Sequence, residues 1–303
     1  MALLLDQTAG HLRSAGILRV TGPDRMTYLH SLLSQDLETA SAGSVADFLY
    51  LDARGNVQAM GRAVVLAGAV LLVTPLAVAA TLTESLQRYT FLLQAETENL
   101  TGQWALASIR GPVAADIVGA RSEPMTVAPA GDGFVVRDRS GGVDLIGPGP
   151  WVEQRLADSA VPVTSEAEWD AWRITAGEAE WGKEVVEGRR AQELGLLPTH
   201  VHLRKGCYPG QESVAKIYNL GRPRRVLAVA EFAGPVAAGD PVDAGGKSGE
   251  VTSAAPSGAV WMALTLVPVD REGKLLGDGT LMVGNVPGRV RRMVGAEMAI
   301  PGA

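Results

Sequence analysis

Cysteine is almost missing from this chain: Cys207 is the single one among 303 residues. That excludes an intrachain disulfide and fits a reducing compartment, so a cytoplasmic setting is expected. Between Met1 and Gly16 no basic stretch leads into an apolar one, so no secretory leader is expected. A surplus of basic charge is also lacking. With 27 Lys and Arg against 33 Asp and Glu, the formal charge of −6 argues against a surface coated for nucleic acid, although a local basic patch is compatible with it. No low-complexity tract interrupts a composition of 47% hydrophobic and 20% charged residues. Such a chain is ordinarily globular and too long for one core, so two or three domains are expected.

One stretch lacks charge for long enough to resemble a membrane span. Ala63 to Thr83 carries none. Its punctuation excludes that reading. Two aliphatic runs, Ala63–Leu66 and Val70–Val73, flank Ala67-Gly68-Ala69, which reads as a hairpin turn. Thr74-Pro75 then supplies an N-cap and a first-turn proline for a helix with Leu82, Leu86 and Tyr89 on one stripe.

The order of elements is α+β. A strand over 16–22 precedes a helix from Asp24, with Leu29, Leu32 and Leu33 on one face, and a hairpin turns at 52–56. From Trp104 the pattern restarts as strand, short helix, hairpin across 140–142, helix 151–157 and short strand 161–163. That order is ferredoxin-like. Ser165 and Glu168 make a capping box for a helix carrying Trp169, Trp172 and Arg173. After Arg225 helical periodicity stops, and strands alternate with glycine-rich turns, as in a small β-barrel or sandwich. The expected domains are 1–103, 104–225 and 226–303.

The chemistry concentrates at Lys205-Gly206-Cys207-Tyr208-Pro209-Gly210-Gln211-Glu212. A cysteine used as a small hydrophobe sits in an apolar run; this one lies among polar and turn-forming residues. In extended backbone, residues 205 and 207 share a face, and an ammonium near a thiol favours the reactive thiolate. His200, His202 and Cys207 could offer nitrogen and sulfur to a metal, but a fourth ligand is not evident and no metal is expected. Gly246-Lys247-Ser248 imitates the end of a phosphate loop. Pro241 stands where that loop needs glycine, so it reads as a hairpin turn.

The segment 205–212 resembles the signature of the YgfZ family, folate-binding relatives of the glycine-cleavage aminomethyltransferase. The resemblance extends through Arg173, Gly177, Trp181-Gly182, Glu193–Leu197, Val201–Leu203 and Asn219–Pro223, and is specific over 173–225. It implies a three-lobed aminomethyltransferase-like fold around a central folate channel, ending in a β-barrel. It makes Cys207 and Lys205 the functional pair and tetrahydrofolate, with or without a polyglutamate tail, the cofactor. A carboxylate suits the guanidine-like pterin edge. Within a stretch of family form, Arg173 to Glu184, the acid at Glu184 is the candidate, with Trp181 and Tyr208 as stacking walls. Arg173, Gln211 and Arg222 complete the implied cofactor contacts. Arg204, Lys205, Lys216, Arg222, Arg224 and Arg225 form a basic segment that Arg289, Arg291 and Arg292 could join. A polyglutamate tail or an RNA backbone would suit it.

The aminomethyltransferase proper carries paired acids after a glycine-bearing turn. Here Gly55-Asn56-Val57-Gln58-Ala59 has Gln58 and Ala59 in their place, and Asp52 is out of register. The loss argues against aminomethyl transfer. The expected function is therefore a tetrahydrofolate-binding accessory protein of iron–sulfur cluster assembly, affecting cluster-containing tRNA-thiolating enzymes indirectly. A folate-dependent one-carbon transferase is the alternative, and an RNA-binding module the weaker one. No membrane partner is expected.

Overall fold

A computed structural model describes residues 7–90, 93–120, 122–221, 223–276 and 278–296. The chain opens with β1 (Ala9–Arg13), β2 (Ala15–Thr21) and α1 (Arg25–Leu32), then β3 (Val45–Leu51), β4 (Val57–Val65), β5 (Ala69–Pro75), α2 (Leu76–Gln87) and β6 (Glu96–Asn99). Five of these strands form an antiparallel sheet in the order β3-β4-β5-β2-β6. The uncharged stretch is the β4–β5 hairpin followed by α2, and Val64, Val65, Val70, Leu71 and Leu72 are buried in it. No helix among the described residues is long and apolar enough to cross a membrane. The helix start differs from expectation. Pro75 is the N-cap and no side chain caps α2, because the Thr74 hydroxyl instead donates to Met60 O at 2.8 Å. Leu82 and Leu86 are buried, but Tyr89 lies past the helix end, 56% exposed.

The second sheet takes β7 (Trp104–Arg110), β8 (Thr126–Ala130), β9 (Gly133–Arg137) and β10 (Val143–Pro148), with α3 (Ala114–Ile117) and α4 (Gly149–Asp158) beside them. Its order is β1-β7-β10-β9-β8, antiparallel throughout. Two details depart from the ferredoxin-like expectation. β8, Thr126–Ala130, was not anticipated: Pro129 interrupts its pattern, which only an edge strand tolerates. The strand expected at 161–163 reduces to one parallel bridge between Val163 and Gly10, and β1 fills that edge of the sheet. Residues 9–13 thus belong to the second sheet although they precede the first.

Ser165 caps α5 (Glu166–Ala176) with the reciprocal Glu168 bond, as its spacing requires. α6 (Leu197–His200) and α7 (Gln211–Leu220) follow. The remaining strands, β11 (Arg225–Phe232), β12 (Pro241–Ala244), β13 (Lys247–Ser257), β14 (Val260–Pro268), β15 (Thr280–Val283) and β16 (Val286–Met293), close into a barrel in the order β11-β14-β13-β12-β15-β16. Closure removes the exposed edges that six short strands would otherwise carry. Bulges at Val229/Ala230 and Val251/Ser253 supply the bends. Gly288 is required where β16 crosses Phe232: a Cβ there would lie 2.3 Å from the ring. α5 packs on β13 and β14, so the barrel and the middle of the chain share one apolar core.

Candidate functional site

A cavity of about 660 Å³ opens where the two sheets, α5, α6 and the end of β16 converge. Its apolar walls are Met60, Leu106, Ile146, Leu196 and Trp181. The volume and the mixture of apolar wall with few polar groups are those of a small-molecule site.

Nearly all of its charges are paired. Arg62 donates through Nε to Asp47 (3.0 Å) and through Nη1 to Asp144 (2.5 Å). Arg110 reaches Asp138 and Asp144 through Nη2, each at 2.9 Å, and the Ser108 hydroxyl donates to Asp144 at 2.6 Å. Burial alone would raise the Asp144 carboxyl, but Arg110, Arg62 and Ser108 outweigh it and hold it down to about 2. Arg139 reaches Asp47 at 3.4 Å. Arg292 donates to the carbonyls of Thr175 and Ala176 at the end of α5. Glu180 receives Arg173 Nε at 2.7 Å and Lys183 at 3.0 Å.

Two lining groups remain. Glu178 is the one carboxylate of the cavity wall with no side-chain hydrogen bond or ion pair among the described residues, and Arg13 is the one arginine in that state. α5 places Glu178 there. The helix ends in a Schellman motif, with Gly177 left-handed (φ 78°) and the Gly177 and Glu178 amides bonded to Ile174 and Arg173 carbonyls. The chain then turns Glu178 towards the cavity, where burial pushes its carboxyl up, against the pull of Arg110 and Arg13. Arg13, at the end of β1, lays its guanidinium 5.2 Å from the Trp169 ring centre. His200 also lines the cavity; burial pushes it down, and its Nδ1 lies 2.6 Å from the Thr199 hydroxyl.

The sequence-predicted residues fall into two groups. Arg173 and Trp181 line the cavity. Arg173 is fully committed there, bonding Asp170, Glu178 O, Glu184 and Ser253. Glu184 sits behind it with no exposed surface, accepting from Arg173 Nη1 (2.8 Å), the Glu180 amide (3.0 Å) and the Ser253 hydroxyl (2.6 Å). It does not line the cavity. Glu178, an acid that does stand in the cavity wall, directly follows the helix-ending Gly177.

Lys205, Cys207, Tyr208 and Gln211 form the second group, none of them in the cavity wall. Cys207 is exposed. Lys205 is buried and spends its ammonium on α1, donating to His30 O and to Leu33 O (2.6 Å), with Nζ 4.9 Å from the Tyr208 ring centre. Burial pushes Lys205 down to about 8, while Asp36, Cys207 and Glu38 pull the other way. Gln211 Nε2 donates to Lys205 O at 3.4 Å, and the Tyr208 hydroxyl is buried without a partner among the described residues. His30 flanks the loop: a Cβ on Gly206 would lie 3.2 Å from its Nε2, and its Nδ1 is 3.1 Å from Asp36 Oδ1. Gly210, left-handed at φ 80°, seats the loop on the β3–β4 hairpin. Asp52 is spent in that hairpin on the amides of Arg54 and Asn56 and on the Asn56 side chain. Gln58 is exposed and Ala59 buried on β4, so neither brings an acid to the cavity.

The basic segment does not assemble into one patch. Lys205 is buried, Arg291 pairs with Glu231 (2.6 Å), and Arg292 turns to α5. Arg224 and Arg225 instead join Lys247 and Arg271 along a groove of about 930 Å³ that shares no lining residue with the cavity. Arg222 lies outside the described residues. Among the described residues no cluster of three His, Cys, Asp or Glu could hold a metal ion.

No protein-family model matches the chain. A chloroplastic protein of Arabidopsis thaliana named as a transferase is 27% identical over 262 residues, 78% of this chain; the match spans 59% of that protein's length. The glycine cleavage system aminomethyltransferase T of Bartonella henselae superposes with a TM-score of 0.81 at 19% identity, covering 98% of this chain and 88% of that one. The chain therefore has the aminomethyltransferase-like fold, mixed α+β with a closed six-stranded barrel in its C-terminal region.

Proposed function

We propose that the central cavity binds a reduced folate, and that the protein is a YgfZ-type tetrahydrofolate-binding accessory factor for iron–sulfur cluster assembly or repair, with Cys207 as its functional thiol. One observation carries the folate reading. Glu178 is a carboxylate held inside a cavity of about 660 Å³ without any donor among the described residues. Glu178 is half-buried, and a carboxylate drawn this far out of water without a partner is costly; the paired donors of a pterin edge would relieve it. Trp181, Met60 and Leu196 give the flat ring apolar surface to lie against. The fold shared with an aminomethyltransferase supports the same ligand class.

The transferase alternative is weaker on this chain's own residues. Asp47, Asp138 and Asp144 are all tied to arginines, and β4 presents Met60 and Arg62 to the cavity where an acid would be needed. Cys207, exposed on its loop, is open to a partner protein, and the cytoplasm is the setting that keeps such a thiol reduced.

Calorimetric titration with tetrahydrofolate tests the ligand. Wild-type protein is expected to bind in the micromolar range, and Glu178→Gln to bind at least about tenfold more weakly. No heat with the wild-type protein refutes the folate reading. Complementation of a deletion strain tests the thiol: Cys207→Ala is expected to fail while retaining folate binding, and full rescue by that variant removes Cys207 from the function.

A further inference from the structure

The charges of the cavity pair off until one of each sign is left. Asp47, Asp138, Asp144 and Glu180 each have an arginine, and Arg62, Arg110, Arg139, Arg173 and Arg292 each have an acceptor. Glu178 and Arg13 do not, and they are not within ion-pair distance of each other. A protein that merely needed two more charges neutralised would bring them together. Kept apart in one chamber, they stand as a donor and an acceptor that a ligand bound there would satisfy.

Arg13 is held for this. Its guanidinium lies over the Trp169 indole, and Arg110 stands over the same ring at 5.7 Å, so the side chain is fixed by stacking while its N–H groups stay unspent. Guanidinium has donors only, so its ligand atom must be an acceptor. Glu178, when ionised, accepts only, so its ligand atoms must be donors. A 2-amino-4-oxopteridine edge carries this sequence, two adjacent N–H donors followed by a carbonyl oxygen.

Resting on the folate reading, we infer that Arg13 is a specificity residue that reads the 4-oxo group of the pterin while Glu178 takes the adjoining N–H edge, so that the site accepts 4-oxo and rejects 4-amino pteridines. A 4-amino group would turn an N–H towards Arg13, setting donor against donor, and would leave N3 without its hydrogen opposite Glu178. Arg13→Met removes that conflict together with the contact.

Titrate wild-type protein, Arg13→Met and Arg13→Lys with tetrahydrofolate, with its 4-amino analogue, and with 6-methyltetrahydropterin, which keeps the 4-oxo ring and has no glutamate. Wild type is expected to prefer the 4-oxo ligand by at least about tenfold. Arg13→Met should lose part of that preference, the rest belonging to the N3–H that Glu178 reads. Arg13→Lys should keep more of it than Arg13→Met, and the pterin fragment should weaken with Arg13→Met as the full folate does. An unchanged preference in Arg13→Met overturns the assignment. Equal affinity of wild type for both ring types overturns the assignment of Arg13 while leaving folate binding intact. A loss confined to the glutamate-bearing ligands also overturns it, by placing Arg13 at the tail. Silence with every ligand overturns both this inference and the folate reading. Thermal melting of the variants checks that each is folded.

Discussion

Arg62 on β4 and Asp144 on β10, 82 residues apart, meet at 2.5 Å and join the first sheet to the second through the cavity wall. Both are largely removed from solvent, with side chains 21% and 5% exposed. Each is tied further, Arg62 to Asp47 and Asp144 to Arg110 and Ser108, so the pair is one link in a web that holds the chamber's shape.

Breaking this link exposes its cost. Asp144→Asn leaves two buried guanidinium groups short of a counter-charge, so a loss of about 3–5 kcal/mol is expected in urea denaturation. The pH dependence carries a sign. The Asp144 carboxyl is depressed in the folded protein to about 2. Its stabilisation is therefore complete above the unfolded carboxyl range and is lost as pH falls through about 4 towards 2. Denaturation curves at pH 6, 4 and 3 should show a wild-type decline that Asp144→Asn lacks, roughly 1 kcal/mol of it from this group by pH 3. Parallel curves for the two proteins would detach Asp144 from the acid sensitivity.

Lys205 gives the opposite slope at the other end of the scale. Burial pushes its ammonium down to about 8. Between that value and the ordinary lysine range, the unfolded chain binds the proton and the folded chain has released it, so stability rises with pH across that window. The two carbonyls that accept from the ammonium reduce the gain, and about 1 kcal/mol is expected between pH 7.5 and 9.5. In Lys205→Met the rise should vanish, and a general loss should appear because the carbonyls of His30 and Leu33 lose their donor. A flat wild-type profile over this range would show that the ammonium stays solvated.

The thiol loop should separate chemistry from stability. Cys207 is exposed, so Cys207→Ala is expected to change unfolding free energy by less than about 0.5 kcal/mol. Gly210 three residues on is different: it is left-handed, and an added Cβ would lie 2.5 Å from Asp52 O. Gly210→Ala should cost about 2 kcal/mol or more and loosen the loop from the β3–β4 hairpin. Chemical denaturation of the two variants side by side measures both. Equal stabilities would mean that the hairpin does not brace the loop.

What the sequence disclosed follows the range of the forces involved. The hairpin at Ala67–Ala69, the Ser165–Glu168 capping box and the strand-rich C-terminal region were legible because each is written in neighbouring residues. The Arg62–Asp144 pair and the unpaired state of Arg13 were not, because they depend on which strands the topology brings face to face. β1 shows the limit plainly: nothing local in Ala9–Arg13 says that it pairs with β7 across 95 residues rather than with β2 beside it. Lys205 and Cys207, expected to share a face of extended backbone, part instead: residues 203–206 turn, Cys207 is exposed, and the Lys205 ammonium is buried against the end of α1.

Glu178 and Glu184 show the same limit within one segment, and they yield the most direct test of the site. Both acids follow α5, and residue type cannot say which turns inward. Glu184 is saturated by Arg173, the Glu180 amide and Ser253, so Glu184→Gln breaks a buried ion pair and should destabilise the protein by about 3 kcal/mol. Glu178 is the reverse case. Its carboxyl is raised by burial, so the folded protein resists its ionisation, and its charge costs stability above the ordinary carboxyl range. Glu178→Gln should raise the melting temperature at pH 7 by an amount equivalent to about 1 kcal/mol, and the gain should fade as pH falls towards 4 and the wild-type carboxyl is protonated. Should Glu178→Gln prove destabilising at pH 7, the carboxylate has a partner in the folded protein and is structural after all.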